Sequence, residues 1–151
     1  MSLELIINKD IKSAMLAKDK KKLEALRAIK SALLIEKTGK NSKDGVIPEE
    51  VELKILQRLV KQRKESAEIF LSQNRDDLAE VETYQAEIIK KYLPEQMSED
   101  EIKKIAETII GETGAESIKD MGRVMGATVK KVAGKADNKI VSMIVKQMLV
   151  N

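Results

Sequence analysis

The sequence has 151 residues, 42% hydrophobic and 35% charged, with a net charge of +3. That balance predicts a folded, well-solvated protein of one domain or two small ones, and excludes a disordered chain. Cysteine and histidine are absent, which excludes disulfides, thiolate and imidazole metal sites, and Cys or His nucleophiles and bases. No metal and no cofactor are expected, and the lack of cysteine fits a cytoplasmic location.

Aromatic residues make up 2% of the chain, Phe70, Tyr84 and Tyr92. The core must be built from Leu, Ile, Val, Ala and Met, which suits packed helices better than a sheet. Leu3, Ile6, Ile7, Ile11, Ala14 and Met15 recur at spacings of three and four and predict a first helix over roughly 2–18. The N-terminal residues read as neither a signal peptide nor a membrane span. The charged patch Lys18 to Lys22 is expected to connect to a second helix. That helix is marked by Leu23, Leu26, Ile29, Leu33 and Leu34 and ends near Thr38-Gly39, where glycine can take a left-handed cap. Lys40 to Gly45 is polar and reads as a loop.

Pro48 fits the first turn of a third helix, and Glu49, Glu50 and Glu52 complement its positive end. Val51, Ile55, Leu59, Gln62, Ser66 and Ile69 form one line along it, with Leu56, Val60, Ala67 and Phe70 beside them. Asn74 is the expected stop. A fourth helix carries Leu78, Val81, Gln85, Ile88 and Tyr92 and ends before Pro94. Ser98 with Glu101 fits a capping box for a fifth helix, striped by Ile102, Ile105, Ala106 and Ile109 and closed by Gly111 and Gly114. The change at Tyr92-Leu93-Pro94-Glu95-Gln96 reads as a domain boundary. The expected architecture is all-α. An N-terminal four-helix domain with long helices occupies 1–93, and a small C-terminal three-helix tail domain occupies 94–151.

The most distinctive stretch runs from Ser117 to Lys139. From Ser117 onward the chain holds seven cations against two anions, a local charge of +5, which leaves the preceding residues at −2. Ser117 or Asp120 can cap a sixth helix. Gly122 and Gly126 lie four apart on one face, and each costs up to ~1 kcal/mol relative to Ala inside a helix. Close approach of another helix, or of a ligand backbone, is expected to offset that cost, and helix packing is the simpler of the two. Met121 and Met125 read as core filling. Lys130, Lys131, Lys135 and Lys139 suit either a solvated rim or a surface that tracks phosphates. Gly134 is expected to end the sixth helix and Asp137 to cap a last one, anchored by Ile140, Val141, Ile144, Val145, Met148 and Leu149.

Asp120-Met-Gly-Arg-Val-Met-Gly-Ala127, Lys131-Val-Ala-Gly-Lys-Ala-Asp137 and Val141-Ser-Met-Ile-Val-Lys146 resemble the signature of the GatB/YqeY family. Lys61-Gln-Arg-Lys-Glu-Ser66, Asn74-Arg-Asp-Asp-Leu-Ala79 and Tyr92-Leu-Pro-Glu-Gln-Met-Ser98 resemble its stand-alone YqeY-like members, so the likeness covers essentially the whole chain. The resemblance implies an all-helical protein related to the C-terminal tail of the B subunit of the glutamyl/aspartyl-tRNA amidotransferase. There the tail helps hold tRNA while other parts perform the chemistry. Those parts, a magnesium-binding cradle and an amidase nucleophile, have no counterpart in this sequence. Where many relatives have glycine, this chain has Asn74 and Asn138, both of which tolerate left-handed geometry.

Three functions are therefore weighed. The first is a non-catalytic module binding tRNA or other structured RNA by shape, with no DNA specificity. Its candidate residues are Gly122, Arg123, Gly126, Lys130, Lys131, Gly134, Lys135 and Lys139. The second is a carbon–nitrogen ligase activity with glutamine as amido-N donor, or an accessory to one, with Glu65 or Asp120 as acid–base candidates. The third is a protein-interaction module using Lys61, Arg63 and Lys64 on the third helix. No membrane partner is expected.

Overall fold

Ser2 and Asp19 start the first two helices as caps. The Ser2 hydroxyl accepts from the Leu5 N–H at 3.4 Å and the Asp19 carboxylate from the Lys22 N–H at 3.2 Å, each satisfying a donor the helix cannot pair internally. A computed structural model describes residues 2–39 and 44–150. Among these residues there are seven α-helices, one short 3-10 turn and no strand. By internal packing they form two compact units, Met1–Leu93 and Pro94–Asn151.

The first unit holds α1 (Leu3–Leu16), α2 (Lys20–Thr38), α3 (Glu49–Ser72) and α4 (Asp76–Lys90). Ile7, Leu26, Ile29, Leu56 and Ile89 are its largest fully buried side chains. Polar ties bind distant segments. The Leu3 N–H donates to Glu52 Oε2 at 3.0 Å, and Lys37 pairs with Glu4 at 3.1 Å. Tyr92 Oη donates to Asp10. Asn74, with φ 58, turns α3 into α4, and the Arg75 N–H closes the end of α3 onto the Phe70 carbonyl at 2.8 Å.

Several expectations are corrected. Lys20 to Lys22 belong to α2, because Asp19 caps it and only Ala17 to Asp19 connect it to α1. Gly39 is extended, at φ −74 and ψ 167, not left-handed. Pro48 stands just before α3, at the cap position. The loop expected over 40–45 is described only at Asp44 and Gly45. Met15, Leu34, Ile69 and Val81 are exposed. A helical apolar line marks a face, but a neighbouring helix covers only the part it reaches. For α1 that neighbour is chiefly α2.

The second unit holds α5 (Glu99–Thr113), the 3-10 turn Ile118–Asp120, α6 (Met121–Val132) and α7 (Asn138–Val150). Ser98 and Glu101 form the complete capping box. Gly114, at φ 67, ends α5, while Gly111 lies inside it. Ile102, Ala106, Ile109, Val124, Val132, Val141, Ile144 and Val145 form the core, and Ile140 is exposed. Asn138 is the first residue of α7, so no left-handed geometry is asked of it. No described helix is long and apolar enough to cross a membrane.

Candidate nucleic-acid interface

The 3-10 turn that leads into α6 is closed by one carboxylate. Asp120 Oδ2 accepts from the N–H groups of Glu116 and Ser117 at 3.0 and 3.4 Å, and Asp120 Oδ1 accepts from Arg123 Nη2 at 3.1 Å. Those two backbone donors, and then Arg123, hold the carboxyl below its ordinary value. Asp120 is thus a capping group whose carboxylate is taken up by two backbone donors and Arg123. Glu65 is exposed on α3.

Val124, Thr128 and Val132 turn the inner face of α6 into the core. Thr128 is fully buried, and its hydroxyl is satisfied by the Val124 carbonyl at 2.7 Å. Met121 and Met125 pack partly against the same core. The outer face is left to Gly122, Arg123, Gly126, Lys130 and Lys131, all exposed. Gly122, Gly126 and Lys130 follow one another at intervals of four, and Arg123 and Lys130 are seven apart, so these residues share one side of the helix.

The helix-packing reading of the glycine pair is corrected here. A Cβ built on Gly122 or Gly126 meets no atom within 4 Å. Their propensity cost, ~1 kcal/mol for an interior glycine, is not offset by any contact within the fold. What they create is a bare strip of helix backbone open to solvent, with cations along its edge.

The cations are not equivalent. Arg123 is paired with Asp120, so its charge is partly neutralised. Lys130 and Lys131 sit in the last turn of α6, where they also complement the negative helix end. Lys139 sits in the first turn of α7, the end that disfavours a cation, so the helix dipole does not account for it. Lys135 is exposed on the α6–α7 connection.

That connection is held in place by residues that sequence reasoning passed over. Ala133 and Gly134 are both left-handed, at φ 42 and φ 81. The Lys135 carbonyl accepts the Met97 N–H at 2.8 Å, and the Gly134 carbonyl accepts from Gln96 Nε2 at 3.3 Å. The segment leading into α5 therefore positions the turn that carries Lys135. In the sequence these residues carried only the Tyr92–Gln96 boundary and the Tyr92–Ser98 motif, neither of which points to the α6–α7 turn.

The other candidate patch is not one surface. Lys61 and Lys64 are exposed on α3. Arg63 instead donates from Nε to Gln85 Oε1 at 3.3 Å and from Nη1 to the Leu59 carbonyl at 3.4 Å, tying α3 to α4.

A family model described as Yqey-like protein matches residues 5–149, nearly the whole chain. The chain belongs to the YqeY-like family. Among similar curated proteins is altered inheritance of mitochondria protein 41, mitochondrial. The Clavispora lusitaniae protein is 38% identical over 126 residues, covering 82% of this chain and 69% of the relative. The Lachancea thermotolerans protein is 38% identical over 87 residues, covering 58% and 46%. A Saccharomyces cerevisiae protein is 29% identical over 139 residues, covering 87% and 69%.

These YqeY-like relatives correct the expected location. Their names place them in mitochondria, against the cytoplasmic expectation drawn from the missing cysteines. A chain without cysteine fits any reducing compartment, so its composition never separated the two.

Proposed function

We propose that this YqeY-like protein is a non-catalytic accessory that holds tRNA, or RNA of similar shape, on the outer face of α6. One observation carries the reading. Two helical glycines lie open to solvent beside a line of cations. A helix stripped of side chains lets a sugar–phosphate backbone approach its own backbone closely, and the lysines beside it supply phosphate contacts. The shortage of aromatic residues favours recognition by shape over base stacking. Four cations, Lys130, Lys131, Lys135 and Lys139, make no ion pair among the described residues.

The test is a mobility-shift titration of tRNA with the full chain. Mitochondrial transcripts belong in the panel, because the relatives are named for that compartment. Four phosphate contacts on a folded, largely helical RNA predict a loss of about 150-fold in affinity between about 50 mM and about 200 mM salt. Changing Lys130 and Lys131 to Glu should abolish binding at the higher salt. Absence of binding by the unaltered protein at low salt would end this reading.

A further inference from the structure

The N-terminal unit carries a second surface, on α4, none of whose residues belongs to the set proposed for RNA. Two clefts flank the first half of α4. One, of about 320 Å³, opens toward the start of α2 and is lined by Glu24, Asp77, Glu80, Val81 and Tyr84, with Lys21 its one cation. The other, of about 450 Å³, opens toward the end of α3 and adds Leu71 and Asp76 to the shared Glu80 and Tyr84. Leu71, Val81 and Tyr84 are exposed there. The clefts thus form a shallow groove along each side of the Glu80–Tyr84 edge of the helix, with the exposed apolar side chains Leu71, Val81 and Tyr84 set among polar and charged ones.

Its rim is negative. Asp77 is paired with Arg75 at 3.2 Å, but Glu24, Asp76 and Glu80 make no ion pair among the described residues. Across its whole length α4 has five acids, Asp76, Asp77, Glu80, Glu82 and Glu87, against the single cation Lys90. Such a rim repels nucleic acid and anionic lipid alike. No strand among the described residues offers an edge for strand addition. The lined stretch, Asp76 to Gln85, spans about 15 Å, close to three helical turns. That length suits apolar anchors spaced three to four residues apart on a docking helix.

We propose that this groove docks an amphipathic, cationic helix of a partner protein. Its apolar side chains would fill the two clefts beside Tyr84. Its Lys or Arg side chains would meet Glu24, Asp76 and Glu80.

The probe is a fluorescein-labelled peptide of about 14 residues, Leu and Lys at helical spacing, titrated against the full chain by anisotropy. A matched peptide carries Glu in place of Lys. Saturable binding of the Lys peptide is expected, with the Glu peptide at least about tenfold weaker. Glu80→Lys and Tyr84→Ala should each weaken the Lys peptide about tenfold. Amide shifts on binding should cluster on residues 76–85. Far-ultraviolet dichroism checks folding, and Glu24→Gln with Asp76→Asn gives a charge-only variant at exposed positions, expected to weaken binding several-fold. Equal affinity for folded groove variants, or shifts confined to other helices, would overturn the proposal. So would a concentration-dependent dimer dissolved by Glu80→Lys, because a second copy would then fill the groove. Retention of tRNA affinity by Glu80→Lys separates this outcome from failure of the RNA reading.

Discussion

Tyr92 and Asp10 are 82 residues apart in sequence and joined by a hydrogen bond, from the phenol to the carboxylate. The bond fastens the turn that follows the last helix of the first unit to the middle of its first helix. Burial first, and the Asp10 carboxylate second, hold the Tyr92 phenol above its ordinary value of 10.0. Tyr92→Phe keeps the ring and removes the bond to a carboxylate, at a cost of about 1.5–3 kcal/mol, read as a lower urea midpoint. The pH dependence has a definite sign. Below pH 10.0 the phenol is neutral folded and unfolded, and its contribution is complete. Above that the unfolded chain ionises first, so the contribution falls as pH rises. The difference between wild type and Tyr92→Phe should therefore shrink in alkali.

Gly126→Ala separates fold from function. With no atom within 4 Å of the added methyl, the substitution should stabilise α6 by about 1 kcal/mol. If RNA backbone lies on the strip, the same methyl should weaken tRNA about tenfold. A thermal melt and a mobility shift on one preparation check both. Stabilisation without any loss of binding would mean that the strip is not the contact surface.

Asp120→Asn should also act in two directions. The ionised carboxylate caps the turn before α6 and is held below its ordinary value of 3.8. A depressed carboxyl contributes stability above that value and loses it as pH falls through the folded value. The variant should therefore be less stable than wild type at neutral pH, with the gap closing in acid. Arg123 loses its partner at the same time. Affinity for tRNA should rise about two- to fivefold, the worth of a surface ion pair.

Ala133 is left-handed at φ 42, a conformation that costs a residue with a Cβ roughly 1–2 kcal/mol. Ala133→Gly should raise stability by about 0.5–1 kcal/mol, after allowing for the freer unfolded chain. Gly134→Ala, at φ 81, should lower it. Paired urea titrations of the two variants test the sign of each.

The sequence exposed the helices more clearly than their surroundings. Asn74, Ser98 with Glu101, and Asp137 act where their chemistry says they should, because a cap is a local event of a few residues. Burial is not local. Leu34 and Val81 belong to apolar lines in sequence yet face solvent, since which part of a line is covered depends on a partner helix far along the chain. The same limit explains the glycines of α6: spacing puts Gly122 and Gly126 on one face, and only the fold decides whether that face meets a helix or open space. Arg63 sits between Gln62 and Lys64 in a polar run, but its bond to Gln85 comes from a helix 22 residues away.

The bond from the Met97 N–H to the Lys135 carbonyl has a kinetic consequence. Met97 precedes α5 and belongs to no helix, so ordinary helix fraying does not expose its amide. Releasing it requires the segment before α5 and the turn between α6 and α7 to part. In deuterium exchange the Met97 amide should therefore outlast the other amides of its own loop and report, from outside any helix, how often that lysine-bearing turn opens.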